Sequence, residues 1–199
     1  MKRRTRALRS TVNRRKVTQA KFELVIAKFE SRESGRAQVY PMALRLRDTG
    51  FEVEADLLIL ATWNFAGFRY VMRTFNVQHF RDAIEQTTAQ FQRLRDQHFQ
   101  TANFDALAKN VTTIYDAFKP IAKQTGASKI IHLRQPHLFV MWDTDIRKNY
   151  GFANRSSAND YLEFQKALQL HFGHISWSRT DKTLPKAIDE YNYLTAHPE

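Results

Sequence analysis

Apolar residues recur at helical spacing along most of the chain. Phe22, Val25, Ile26 and Phe29 stand at i, i+3, i+4 and i+7, which predicts a helix over 17–31. Ser34 and Gly35 mark a break, and a second helix over 37–47 carries Pro41 as a kink point. The Asp48-Thr49-Gly50 run is a stop. Residues 51–65 form the most apolar stretch, and Leu57, Leu58, Ile59, Leu60 and Trp63 predict a helix buried on most faces. Residues 64–67 interrupt it, and 68–75 continue as a short helix. Asn76 caps a long helix over 77–98, with Phe80, Ala83, Ile84, Thr87, Phe91 and Leu94 as its stripe. Asn103 caps another, striped by Leu107, Val111, Ile114, Tyr115 and Phe118, with Pro120 near its end.

Gln124-Thr125-Gly126 reads as a tight turn, followed by a short helix over 127–133 that Pro136 stops. An apolar segment over 138–142 leads to Asp143, which opens a helix to about 150, with Gly151 at its C-terminal cap. Ser157 caps a helix carrying Tyr161, Phe164, Leu168 and Phe172, and a last helix over 184–194 holds Pro185 in its first turn. There is no internal repeat, no hairpin dipeptide and no strict alternation. The fold class is therefore all-α, a single globule of about eight helices.

Composition narrows the possibilities. With 43% hydrophobic residues but only 6 Gly and 5 Pro, the chain reads as folded and helix-rich. Its 199 residues suit one domain, taken as 17–199, behind a basic arm over 1–16. The absence of cysteine excludes disulfides, thiolate metal sites and cysteine nucleophiles. No apolar run approaches the roughly 20 residues of a membrane span, and no apolar core follows the basic start, so a cytoplasmic location without membrane contact is expected. The net charge of +11 points to a polyanionic partner. Its distribution is uneven: the arm supplies +8, residues 119–155 supply +5, and the remainder is −2.

The basic segment also carries the most distinctive pattern. Residues 124–152 read QTGASKIIHLRQPHLFVMWDTDIRKNYGF. A glycine-containing turn between short helices presents backbone N–H groups at a helix N-terminus, a geometry that binds phosphate. Asp143 stands at the mouth of the next helix, behind Phe139, Met141 and Trp142.

The order of Gly126, a short helix, an apolar stretch, Asp143 and the basic Ile146-Arg147-Lys148 run resembles the helix-hairpin-helix DNA glycosylase superfamily. The resemblance implies a two-lobed all-α fold with a groove between the lobes, and double-stranded DNA as the partner. It implies a flipped base whose N-glycosidic bond is hydrolysed by a monofunctional, water-activating reaction. Asp143 would be the catalytic residue, stabilising positive charge on the sugar and positioning or deprotonating the nucleophile. Thr125, Gly126, Ser128, Lys129, Arg134, Arg147 and Lys148 would lie on the nucleic acid, with His132 and Trp142 at the base pocket.

Each residue also has a plainer role open to it. Asp143 is a good helix cap in its own right. Lys129 reads as a solvated or phosphate-contacting helix residue rather than a nucleophile. Trp142, and the group Trp63, Phe65, Phe68 and Tyr70, read as core, with base stacking or groove lining as the other option. His132 and His137 flank the proline break and read as structural or exposed. His171 and His174 lack a third ligand by spacing, so no metal and no cofactor are expected. A non-catalytic nucleic-acid-binding or interaction protein on the same scaffold is the alternative function.

Overall fold

A computed structural model describes residues 16–197, so the basic arm lies, except for Lys16, outside the described residues. Among these, the chain forms nine helices and no strand: α1 (Gln19–Arg32), α2 (Ser34–Asp48), α3 (Glu52–Trp63), α4 (Phe65–Val71), α5 (Val77–Arg93), α6 (Ala108–Arg134), α7 (Thr144–Asn149), α8 (Ala158–Phe172) and α9 (Leu184–Ala196). The all-α class is as expected. No helix among the described residues is long and apolar enough to cross a membrane.

The caps follow the sequence closely. Asn76 accepts from the N–H groups of Gln78 and His79 at the start of α5. Ser157 and Asp160 form a reciprocal capping box on α8, and Thr183 caps α9 one residue before Leu184-Pro185. Gly151 closes α7 with φ +80°, a conformation that disfavours side chains with a Cβ.

The main core joins α1, α5, α6, α8 and α9. Tyr115 and Tyr161 stack at 4.9 Å, and Trp142 meets Tyr161 at 5.1 Å and Phe164 at 5.3 Å. Each such ring removed from water contributes about 2–3 kcal/mol. A smaller cluster of Tyr40, Ala43, Ala55, Ile59 and Leu133 binds α2 and α3 to the end of α6, with Trp63 packed against it.

Five boundaries differ from expectation: α5 ends at Arg93 rather than near 98, and α6 starts at Ala108 after Leu107, the Asn103 side chain accepting from the Ala106 N–H in the turn before it. The break after α1 falls at Glu33, not at Ser34-Gly35, and α2 runs straight through Pro41 while packed on α3. The interruption after α3 is Asn64 alone, so α4 begins at Phe65. The turn expected at 124–126 is absent. The backbone instead leaves helical geometry at Lys123 (φ 57°, ψ −179°), three residues after Pro120 removes a rung from the ladder, and Gly126 is helical. Gly126 serves close packing instead of a turn: a Cβ there would come within 2.8 Å of the Ala122 Cβ and 3.1 Å of the Leu60 Cδ2.

Candidate functional site

Asp143 is the N-cap of α7, its Oδ1 accepting from the Ile146 N–H at 2.8 Å. The same side chain lines a cavity of about 60 Å3 bounded by Phe29 and Glu33 at the end of α1, Trp63 at the end of α3, Lys129 from α6, and Lys186, Asp189 and Tyr193 from α9. Capping and facing the cavity are thus combined in one residue. Lys129 is 6% exposed, and its Nζ lies 5.8 Å from the Trp63 ring centre. This corrects the expectation of a solvated lysine, because the helical register after Lys123 turns it inward, toward Trp63 and Asp143.

The α9 side of the cavity is densely charged. Lys186 Nζ sits 4.3 Å from the Trp63 ring centre, with Phe29 and Tyr40 as further walls, and pairs with Glu190 at 2.9 Å and Asp189 at 3.4 Å. Glu190 in turn pairs with Lys182, which reaches Glu30. Burial pushes the Asp189 carboxyl above the usual carboxylate range. The ammonium groups of Lys186 and Lys129 pull it down, and the Asp143 and Glu190 carboxylates add to the rise. Two lysines and two aspartates from three elements therefore converge on one small space.

The remaining expected site residues serve the fold. Ser128 is buried, hydrogen-bonds the Trp142 N–H and the Thr125 and Trp142 carbonyls, and so ties α6 to the segment before α7. Thr125 is half-buried on α6. Trp142 belongs to the core, its Nε1 donating to the Gln124 carbonyl at 3.0 Å. Arg147 is 4% exposed, donates to the carbonyls of Asp143 and Arg155, and stacks on Trp142. Arg134 lies between Asp56 at 2.6 Å and Glu52 at 2.7 Å. Lys148 alone of these cations is solvent-exposed, and it pairs with Asp145. Arg134 and Arg147 are thus drawn inward by carboxylates and carbonyls rather than turned toward a ligand.

His132 is also internal. Its Nδ1 lies 2.6 Å from the Phe139 carbonyl, which can only accept, so Nδ1 carries the proton and Nε2 accepts from the Tyr40 hydroxyl at 2.9 Å. Burial pushes its pKa down to about 3, keeping the ring neutral. Among the described residues no three His, Asp or Glu side chains gather as a metal site, and His174 is held by the Val17 carbonyl.

The sequence reading missed Lys186 and Asp189. The signal was present: Lys186, Asp189 and Tyr193 recur at i, i+3 and i+7, the spacing of a buried stripe occupied by polar groups. Comparison of the chain with protein-family models, with curated proteins and with solved structures finds no match.

Proposed function

We propose that this protein acts on DNA as a base-excision enzyme and hydrolyses an N-glycosidic bond at the cavity shared by Asp143 and Lys129. The observation that carries this reading is their convergence, from α6 and α7, with Asp189 and Lys186. Asp143 keeps one oxygen on its helix cap and leaves Oδ2 for chemistry. That oxygen stabilises the positive charge developing at the sugar carbon and takes a proton from the attacking water. Asp189, whose carboxyl is raised by burial, returns a proton to the departing base. The C–N bond breaks, a C–O bond forms, and one proton is exchanged at each carboxyl.

A cavity of about 60 Å3 holds a few waters, whereas a cavity near ~150 Å3 is needed for a benzene ring. A flipped base enters only when the side chains lining the cavity part. This closure favours the second reading, a DNA-binding protein without catalysis in which the charges are a structural cluster.

Full-length protein offered duplexes with single uracil, hypoxanthine, alkylated-purine or oxidised-purine lesions separates the two readings. The enzyme reading expects release of at least one free base. Asp143→Asn keeps the cap and the DNA affinity, because Asn caps as well as Asp, and abolishes release. Release that survives Asp143→Asn, or binding without release from any lesion, overturns it.

A further inference from the structure

Eight large apolar side chains are exposed among the described residues, and four of them fall within one stretch of thirteen: Phe65 (63%), Tyr70 (58%), Met72 and Val77. The other four are scattered, so this is the one place where exposure is concentrated. The patch lies on α4 and the turn after it. α4 buries Val71 against the body and leaves Phe65, Arg69 and Tyr70 outward. Lys123, the residue at the kink of α6, places its ammonium 5.1 Å from the Tyr70 ring centre, and the Arg73 guanidinium lies 5.4 Å from it. Arg69, Arg73 and Lys123 have no acidic partner among the described residues. Residues 57–81 and 117–142, the two stretches that meet here, contain no Asp or Glu at all.

Exposed rings interleaved with uncompensated cations match the chemistry of an unpaired nucleic-acid strand, whose bases offer flat faces and whose backbone offers phosphates. Phe65 and Tyr70 are five residues apart, about 7.5 Å along the helix and about 140° around it, so they flank Arg69 on the exposed side of α4. Trp63, a wall of the cavity, stands two residues before Phe65 in the chain.

We propose that this face is a docking platform for an unpaired DNA strand, with Phe65 and Tyr70 stacking on bases and Arg69, Arg73 and Lys123 holding the phosphates. The proposal rests on the nucleic-acid reading above for its partner, and it deepens that reading by naming the surface and the form of the strand.

The test uses the full-length chain and an undamaged, labelled oligothymidine of roughly 12 nucleotides. Binding is followed by anisotropy over a salt series, with heparin as a polyanion lacking bases. Phe65→Ala with Tyr70→Ala should weaken the oligonucleotide at least about fivefold per ring and leave heparin binding unchanged. Arg69→Gln, Arg73→Gln and Lys123→Gln together should weaken both ligands and flatten the log K against log salt slope by about 2. The replaced side chains are exposed, so unchanged thermal melts confirm that the variants fold. Oligonucleotide binding unaffected by the ring variant, or ring-variant losses equal on heparin, overturns the platform. So does a ring variant that changes only self-association or vesicle binding. No lesion and no base release is involved, so failure here leaves the catalytic reading standing, and failure of catalysis leaves this result intact.

Discussion

Arg134→Met separates a structural from a phosphate-binding role for a carboxylate-paired cation of the basic segment. Arg134 donates from Nε and one terminal nitrogen to a single oxygen of Asp56, at 3.2 and 2.6 Å, and from the other terminal nitrogen to Glu52. Asp56 is 1% exposed, and its second oxygen has no hydrogen-bond partner. Desolvation outweighs the guanidinium and lifts the Asp56 carboxyl to about 6. The folded state therefore keeps this proton to higher pH than the unfolded chain, where the group titrates near ~3.9. The group's contribution to stability is full below about pH 4 and is lost as pH rises through 6, costing about 3 kcal/mol at pH 7. Without Arg134 the carboxyl protonates outright, which caps its cost at pH 7 near 4 kcal/mol.

The extra cost through Asp56 is thus only about 1 kcal/mol, and the half-exposed Glu52 pair adds at most about 1 more. Met preserves packing on Phe91 and Phe118, which the guanidinium now covers. Urea unfolding followed by circular dichroism should show a loss of about 1–2 kcal/mol at pH 7. By pH 5, where Asp56 is protonated with or without its partner, the loss should shrink below about 1 kcal/mol. A variant as stable as the wild type at pH 7 but weaker on DNA would refute the structural role. A loss undiminished at pH 5 would refute the reasoning about Asp56.

Gly126→Ala gains about 1 kcal/mol of helix propensity but forces a Cβ against Ala122 and Leu60, so a net loss of about 1 kcal/mol is expected; net stabilisation in a urea melt would refute the close-packing role. His132 is held neutral with a folded pKa of about 3, so its contribution is present above pH 6.5 and is lost as pH falls toward 3. His132→Gln should therefore remove about 2 kcal/mol of the wild-type loss between pH 7 and pH 5, read from paired melts. Lys123→Gly relieves a backbone conformation of positive φ and extended ψ costing about 1–3 kcal/mol, less about 1 for glycine's unfolded-state freedom, and should raise stability by about 1 kcal/mol.

Local signals carried most of the helical map. Asn76, Ser157 and Gly151 act where cap chemistry places them, and the stripes of α5, α6 and α8 face the core. The errors arose where tertiary packing overrides a local cue. Gly126 reads as a turn because glycine permits one, yet it is there to let α3 approach α6. Pro41 reads as a kink point, yet α2 stays one helix through it, packed on its neighbour α3. Phe65 and Tyr70 read as core by density, although the short α4 has only one side to bury. Asp143 was legible as a cap and as a candidate catalytic residue, and in the structure it caps α7 while lining the cavity. Lys186 and Asp189 were hidden because charges on a helix read as solvated unless a facing element is known, and that element, Trp63, lies over a hundred residues away.

The basic segment shows how net charge loses its meaning on folding. Of the seven cations in 119–155, Lys129 turns into the cavity, Arg134 is claimed by Asp56 and Glu52, and Arg147 is claimed by carbonyls. Lys148 pairs with Asp145, and Arg155 with Asp160 while lying over Phe152. Lys119 and Lys123 are what remains without an acidic or carbonyl partner among the described residues. The local +5 is therefore spent largely inside the molecule and on its own carboxylates. Lys123 and Arg73 meet around the exposed Tyr70 ring, next to Arg69 in the chain, and the two arginines come from residues 17–118, whose acids and bases balance in the sequence. A field at a surface is set by which charges lack a partner there, and a run's composition cannot supply that. The charge count of 119–155 is consequently a poor guide to exposed positive charge, and the platform proposed on α4 takes two of its three cations from a region that is neutral by count.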